Sequence, residues 1–176
     1  MKLSELFLLV LFLFSLSACV SQQPDTKSKC YATEYVNPFI GTDFTGNTYP
    51  GAQTPFGMVQ LSPDNGLPGW DRISGYFYPD STIAGFSHTH LSGTGAGDLY
   101  DISFMPVTLP YKEAEAPLGI HSKFSHKDES AHAGYYQVRL TDYNINVELT
   151  ATERCGIQRY TFPEAQSAIF LNLKKA

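Results

Sequence analysis

The alternation of apolar and polar residues near the C-terminus is the strongest constraint on the fold. Residues 136–140 (YQVRL) alternate in this way, and the same alternation returns in residues 145–149 (INVEL). Successive side chains of a strand point to opposite faces, so this period places one face on a core and the other in water. The two runs are separated by the four residues 141–144, and they therefore predict an antiparallel hairpin.

Further short apolar runs, separated by turn residues, extend this pattern. They are residues 57–61, 100–109, 155–162 and 168–173. Pro106 has no N–H for a ladder, so we place the strand within residues 100–109 at an edge or a bulge. Sequential short strands without intervening helices predict an all-β antiparallel β-sandwich and argue against a Rossmann fold or a (β/α) barrel.

The composition excludes two broad classes of protein. The 176 residues include 12 Lys+Arg and 17 Asp+Glu, giving a formal net charge of −5. A general nucleic-acid binder needs a basic excess to neutralise phosphates, so we expect no nucleic-acid partner. Aromatic residues make up 14% and charged residues only 16%. A disordered chain has the opposite balance, so the bulk of this chain is expected to fold.

The N-terminus has the features of an export signal. Residues 6–14 form an unbroken apolar run, which is shorter than the roughly twenty residues that span a bilayer. The sequence Leu16-Ser17-Ala18-Cys19 follows, and it is similar to the lipobox of bacterial lipoproteins. We expect residues 1–18 to be a lipoprotein signal peptide, with lipid on the Cys19 thiol. The other interpretation is ordinary secretory cleavage beside an incidental cysteine.

This signal predicts an exported bacterial lipoprotein, anchored at the outer membrane or on the periplasmic side. Two or three acyl chains hold a protein stably on a membrane. Residues 19–34 are expected to comprise the lipidated cysteine and a flexible polar tether. An oxidising compartment permits a disulfide between Cys30 and Cys155, but two separate thiols fit the sequence equally well.

A long segment rich in Gly, Pro, Asn and Asp, residues 37–101, is expected to form large loops beside the sandwich. It contains Trp70, the single tryptophan, followed by Asp71. An aromatic face that stacks on a sugar ring, with a carboxylate that accepts hydrogen bonds from hydroxyls, suits carbohydrate recognition. The other interpretation is that Trp70 fills the core and Asp71 makes a turn.

Two histidines, His88 and His90, lie later in this segment. On a strand they would project from the same face and could bind a metal together with Asp98 or Asp101. The other interpretation is that both are structural. Residues 93–98 (GTGAGD) resemble a phosphate loop only superficially, because Asp98 stands where the third glycine belongs. A tight loop that needs small residues is expected there.

A glycosidase needs two carboxylates, and the spacing of the aspartates does not identify such a pair. The candidates are Asp43, Asp64, Asp71, Asp98 and Asp101. Most of them are expected to be loop or turn residues. Reasoning from residue chemistry alone therefore stops before it reaches a reaction.

Several stretches together resemble the N-terminal domain of glycoside hydrolase family 92, the calcium-dependent exo-acting α-mannosidases. These stretches are residues 36–42 (VNPFIGT), 49–52 (YPGA), 55–64 (PFGMVQLSPD), 74–76 (SGY), 85–95 (GFSHTHLSGTG), 124–126 (FSH), 134–136 (GYY) and 149–152 (LTAT). The long run at 85–95 makes the resemblance specific, and the matches extend over nearly all of residues 35–173.

The resemblance implies a two-part enzyme, in which an N-terminal β-sandwich packs against a C-terminal (α/α)₆ barrel with the active site between them. Such enzymes invert the anomeric configuration with a Glu acid and an Asp base. Calcium binds the mannose hydroxyls and helps to distort the ring. The expected partners are mannose-containing glycans, the barrel domain and, through the lipid, a membrane.

The resemblance also implies that this chain, ending at Ala176, is the front part of such an enzyme: residues 35–176 form a sandwich domain that is itself expected to be incomplete. Its acid, base and most calcium ligands are expected in the missing barrel. Trp70 and Asp71 are then the best candidates for substrate contact. His88, His90 and Asp98 are expected to line the pocket or to pack between domains. The alternative function is a stand-alone carbohydrate-binding sandwich without catalytic activity.

Overall fold

The computed structural model describes residues 31–93, 95–111 and 119–173. Within these ranges the chain forms eleven short strands and three 3₁₀ turns, and it has no α-helix. The strands are β1 (Ala52–Gln53), β2 (Gln60–Asp64), β3 (Thr82–Ile83), β4 (Gly85–Ser87), β5 (Ser103–Thr108), β6 (Ser122–Lys123), β7 (Glu129–His132), β8 (Tyr135–Leu140), β9 (Ile145–Ala151), β10 (Gly156–Thr161) and β11 (Ser167–Asn172). The 3₁₀ turns are Ala32–Tyr35, Trp70–Arg72 and His126–Asp128.

All strand pairs are antiparallel, and they form three sheets. The first sheet has the order β1-β2-β4-β5-β11, the second has the order β10-β9-β8-β7, and β3 pairs with β6 in a small third sheet. Buried side chains from all three sheets form a single apolar cluster. The all-β antiparallel sandwich predicted from the sequence is therefore confirmed.

The predicted hairpin of β8 and β9 is confirmed and supplies much of the core. Cross-strand partners are Tyr136 with Leu149 and Leu140 with Ile145, and all four side chains are fully buried. Burying an apolar side chain of this size stabilises the fold by about 1.5–3 kcal/mol. The turn between the strands uses Asn144 at φ 54°, a conformation that asparagine tolerates better than most residues.

The other predicted strands form with their boundaries shifted by a few residues. Pro106 was expected at an edge or a bulge, but β5 lies inside the first sheet, between β4 and β11. The ladder pairing between β4 and β5 is limited to Phe86 and Phe104. At Pro106 the strand therefore has a ladder partner on one side only, Ile169 of β11, which explains how a proline is tolerated there.

The segments between β2 and β3 and between β4 and β5 are long loops. The second loop holds Leu99, Tyr100 and Ile102 at positive φ, which is uncommon for residues other than glycine. Backbone strain of this kind concentrates at functional sites. The loop between β4 and β5 therefore has the backbone strain that is typical of a site.

The predicted signal peptide, the lipidated Cys19 and most of the tether lie outside the described residues, as does Cys30. Cys155 is exposed and unbridged within the described part. Residues 32–34, the last of the predicted tether, begin the first 3₁₀ turn and are exposed. None of the helical turns in the described ranges is long or apolar enough to cross a membrane.

Candidate functional site

The two loops enclose an open pocket of about 190 Å³. The loop after β2 contributes Pro68, Arg72 and Gly75 to its lining, and the loop after β4 contributes Gly97 and Tyr100. The Tyr100 hydroxyl donates a hydrogen bond to the Ile73 carbonyl oxygen, which joins the two loops. The pocket thus depends on contacts between segments that are distant in the sequence.

Trp70 is not one of the lining residues, but it lies in the 3₁₀ turn Trp70–Arg72, between Gly69 and Arg72, which both line the pocket. Its side chain is 62% exposed, so it does not fill the core. A Cβ built on Gly95 would lie 3.6 Å from Cη2 of Trp70, so the ring borders the Gly-rich loop. Asp71 is partly exposed beside Arg72. Trp70 and Asp71 therefore follow directly after the lining residue Gly69, and neither side chain is buried.

Asp98 is not one of the lining residues, but in the sequence it lies between two of them, Gly97 and Tyr100. Its side chain is exposed, and Oδ1 accepts a hydrogen bond from the Leu99 N–H at 2.8 Å. Burial, with smaller contributions from Asp64 and Asp98, raises the pKa of Tyr100 to about 12. Tyr100 therefore stays a neutral hydrogen-bond donor at ordinary pH.

His90 supports the pocket from beneath and does not line it. The ring is buried, with Nδ1 2.8 Å from the Gln60 carbonyl oxygen and Nε2 2.9 Å from Oδ1 of Asp64. A carbonyl oxygen only accepts, so Nδ1 must carry a hydrogen. The Ser87 hydroxyl oxygen also lies 3.0 Å from Nε2, so both ring nitrogens have partners within the protein. His90 has no nitrogen left to bind a metal.

Gly75 forms the pocket floor directly above this pair. It has φ +88°, and a Cβ at this position would lie 2.5 Å from Oδ1 of Asp64 and 3.1 Å from Cδ2 of His90. Its Cβ would also lie 3.1 Å from Cε1 of Tyr100. Only glycine combines this backbone conformation with such a close approach.

His88 is placed apart from the pocket. β4 ends at Ser87, so neither His88 nor His90 lies on this strand. The two side chains therefore do not project from one face of a strand, as the sequence had led us to expect. Nδ1 of His88 donates a hydrogen bond to the Ile102 carbonyl oxygen at 3.0 Å, and the ring packs edge-on against Phe104. These contacts with Ile102 and Phe104 are consistent with a packing role for His88.

Arg72 forms one wall of the pocket and was not singled out by the sequence. Its Nε and Nη2 donate to the two carboxylate oxygens of Asp80 at 2.6 and 2.5 Å, and its guanidinium carbon lies 4.8 Å from the centre of the Phe77 ring. The hydrogen bond to Asp80 raises the pKa of Arg72. A charged donor is therefore held rigidly beside Asp71.

A buried carboxylate fixes the strand side of the same loop. Glu129 accepts hydrogen bonds from the hydroxyls of Tyr76 and Tyr136, at 3.0 and 2.6 Å, and from Nδ1 of His126 at 2.6 Å. Burial and the charge of Glu129 raise the pKa of both tyrosines. Tyr76 follows Gly75, so this cluster links the pocket floor to the second sheet.

The described residues contain no group of three or more His, Cys, Asp or Glu side chains arranged to hold a metal ion. Three of the aspartates near the pocket already have partners: Asp64 pairs with His90, Asp80 with Arg72, and Asp101 accepts from the Thr89 hydroxyl at 2.8 Å. The described part of the chain therefore does not fit a calcium site built on clustered carboxylates.

A family model described as the glycosyl hydrolase family 92 N-terminal domain matches residues 35–176. This chain belongs to that family. A family GH92 α-mannosidase from Bacteroides thetaiotaomicron, solved with mannoimidazole, is 45% identical and superposes with a TM-score of 0.76. The match covers 81% of this chain and 20% of the α-mannosidase.

Two further relatives agree with this assignment. A family GH92 inverting mannosidase from the same species is 30% identical, with a TM-score of 0.65, over 79% of this chain and 19% of the other. A protein of Arthroderma benhamiae named an uncharacterized secreted glycosidase is 29% identical over an alignment of 139 positions, and the match covers 73% of this chain and 17% of that protein. The family 92 chain described here thus spans about a fifth of the length of its relatives.

Proposed function

We propose that this chain is the N-terminal, pocket-forming part of an exported, lipid-anchored α-mannosidase that hydrolyses terminal α-mannosides of glycans. The exposed ring of Trp70 beside the pocket is the observation that carries this proposal. A sugar ring presents C–H groups on its faces and hydroxyls at its edge, so an aromatic face flanked by charged hydrogen-bonding groups matches it. Asp71 can accept from hydroxyls, and Arg72 can donate to ring or hydroxyl oxygens.

The reactive carboxylates are proposed to lie elsewhere in the enzyme. An inverting glycosidase holds an acid and a base roughly 6.5–9.5 Å apart, with room for a water between them. Asp64 is buried against His90, whereas Asp71 is partly exposed and Asp98 is exposed, and each is adjacent in the sequence to a residue that lines the pocket or to its turn. We assign both to substrate contact, and we assign the acid and base to the expected barrel domain.

Calcium is proposed to bind outside the described residues, since these residues do not gather the carboxylates for such a site. When bound, calcium would supply a hard cation that accepts sugar hydroxyls as ligands. Export is supported by the apolar run at residues 6–14 and by the name of the Arthroderma relative. Lipid on Cys19 would hold the enzyme at the membrane.

The test is mannoside hydrolysis by a chimera. Residues 35–173 of this chain replace the matching fifth of the 45% identical Bacteroides mannosidase, and release of an aryl group from an aryl mannoside is measured with Ca²⁺. We expect turnover by the chimera, a fall of at least tenfold with Trp70→Ala, and partial retention with Trp70→Phe. Unchanged hydrolysis by the Trp70→Ala chimera would remove Trp70 from the site. Robust hydrolysis by this chain alone would refute the assignment of the acid and base.

A stand-alone sugar-binding sandwich is the second candidate, favoured by the fact that the pocket is formed by this chain's own loops. Calorimetry with mannose and mannobiose separates the two functions. Clear binding by the isolated chain, lost in Trp70→Ala, supports the binding module. Binding that requires the rest of the enzyme supports the mannosidase part.

A further inference from the structure

The guanidinium group of Arg72 has three nitrogens, and the protein uses two of them. Nε and Nη2 donate hydrogen bonds to the two carboxylate oxygens of Asp80. Nη1 also carries N–H donors, and it has no hydrogen-bond partner among the described residues. One strong donor of Arg72 is therefore left for a ligand.

This unused donor lies at the wall of the pocket. A Cβ built on Gly69 would be 3.3 Å from Nη1 of Arg72, and both residues line the pocket. The Arg72 side chain is 23% exposed, so a ligand can reach it. Arg72 is also the single charged side chain among the described residues that line the pocket. Nη1 is therefore placed to hydrogen-bond a molecule bound there.

A neighbouring turn fixes the direction of the guanidinium group. The Asp80 side chain is only 9% exposed, and its backbone N–H donates to the Phe77 carbonyl oxygen at 3.0 Å. The Phe77 ring centre lies 4.8 Å from the guanidinium carbon of Arg72. Two parallel hydrogen bonds to one carboxylate hold a guanidinium in a single orientation. Nη1 is therefore oriented before a ligand arrives, which lowers the entropy cost of binding.

The charges around Arg72 favour an uncharged ligand. The positive charge of Arg72 is already neutralised by Asp80. Asp71 and Asp98 form no ion pair with another described residue, and the charge of Asp71 also acts on Arg72. A sugar with a phosphate or carboxylate group would therefore meet more negative than positive charge in this part of the protein.

We propose that Nη1 of Arg72 binds an oxygen of an uncharged sugar residue, and that Asp80 is the positioning residue that makes the pocket prefer uncharged over anionic mannosides. Asp80 would do this in two ways, by orienting the guanidinium and by neutralising its charge. The inference rests on the proposed function, because it names the substrate class of the same pocket.

The chimera that tests the proposed function also tests this inference. KM and kcat are measured for an aryl mannoside, together with competitive inhibition by mannose and by mannose 6-phosphate. Arg72→Met keeps an apolar stem without a donor, so KM should rise about tenfold or more while kcat stays within about twofold. Asp80→Asn leaves the guanidinium charge unpaired, so the preference for mannose over mannose 6-phosphate should fall about tenfold or more.

The matched control is Glu148→Gln. Glu148 is paired with Arg159 through two hydrogen bonds on the second sheet, so this variant also leaves an arginine without its carboxylate. It should change neither KM nor the preference between the two inhibitors. The double variant Arg72→Met/Asp80→Asn leaves no unpaired charge, and it should have the raised KM even if one of the single variants does not fold.

An unchanged KM in Arg72→Met, or an unchanged preference in Asp80→Asn, overturns the inference. An equal change of preference in Glu148→Gln also overturns it, because a general effect of net charge would then explain the result. In each of these cases the proposed function stands if hydrolysis still falls in Trp70→Ala. Unchanged hydrolysis in Trp70→Ala, or a folded but inactive chimera, overturns both.

Discussion

Replacing Gly75 by alanine tests whether the pocket floor rests on the buried pair of Asp64 and His90. Two separate costs are expected. An L-residue held at positive φ costs about 1–2 kcal/mol. The added methyl would lie 2.5 Å from Oδ1 of Asp64, and such overpacking costs a further 1–3 kcal/mol or so. Alanine also lowers the conformational entropy of the unfolded chain, and this offsets about 0.4–1 kcal/mol of the loss in stability. The expected net loss is therefore about 2–4 kcal/mol.

Gly93→Ala is the matched control for this prediction. Gly93 also has positive φ, +70°, but nothing lies within 4 Å of a Cβ built there. It should lose only the backbone part, about 1 kcal/mol after the unfolded-state gain. The difference between the two variants therefore isolates the cost of the close approach at the pocket floor.

The assay is urea unfolding followed by circular dichroism and by fluorescence of Trp70, the single tryptophan, which reports on the pocket loop. We expect Gly75→Ala to unfold at lower urea than Gly93→Ala, with a free-energy difference of about 1–3 kcal/mol. Equal losses in the two variants would show that Gly75 does not approach Asp64 as closely as the structure has it. That result would refute the account of the floor.

Three further outcomes are expected. Glu129→Gln removes the charge that three side-chain donors share in a buried site, and it should lower the free energy of unfolding in urea by about 3 kcal/mol. The control Glu148→Gln, at a surface pair, should lower it clearly less. A larger loss for Glu148→Gln would contradict this ranking. Between pH 10, where unfolded tyrosine ionises, and the folded pKa of about 12 for Tyr100, the folded state keeps a proton that the unfolded state loses. Stability should therefore fall as pH rises through this window, and Tyr100→Phe should fall less steeply; parallel curves would contradict this. Asn65→Ala leaves the Phe77 N–H and the Thr82 carbonyl oxygen without their side-chain partner. Melting and urea curves should therefore show that the free energy of unfolding falls by about 2–4 kcal/mol. A fall of less than about 1 kcal/mol would contradict this prediction.

The strands were predictable because their signal is local. In the β8–β9 hairpin, the alternation of apolar and polar residues shows which face of the sheet each side chain lies on. The strands within residues 136–149 could therefore be predicted without knowing which residues cover them. Pro106 shows the limit of that reasoning. Its lack of an N–H indicates an edge, and the chain meets the requirement inside a sheet because β4 ends before reaching it.

The candidate site was predictable only in part. The chemistry of Trp70 and Asp71 together with the family resemblance made them candidates for substrate contact, and that role stays a prediction. Tyr100 carried no sequence signal, because its partner is the Ile73 carbonyl, 27 residues away. His90 was predicted to line the pocket or pack between domains, whereas it is buried beneath the floor.

The sequence by itself determined the strand periodicity, the family and the residue types available for binding, because each of these depends on residues that are close together in the sequence. Only the tertiary structure decided which of those residues meet. Asp64 became a buried partner of His90, and Gly75 became the floor above them, because β2 pairs with β4 and so brings together segments that are distant in the chain. Such contacts depend on how the chain closes in space, and no local pattern encodes them.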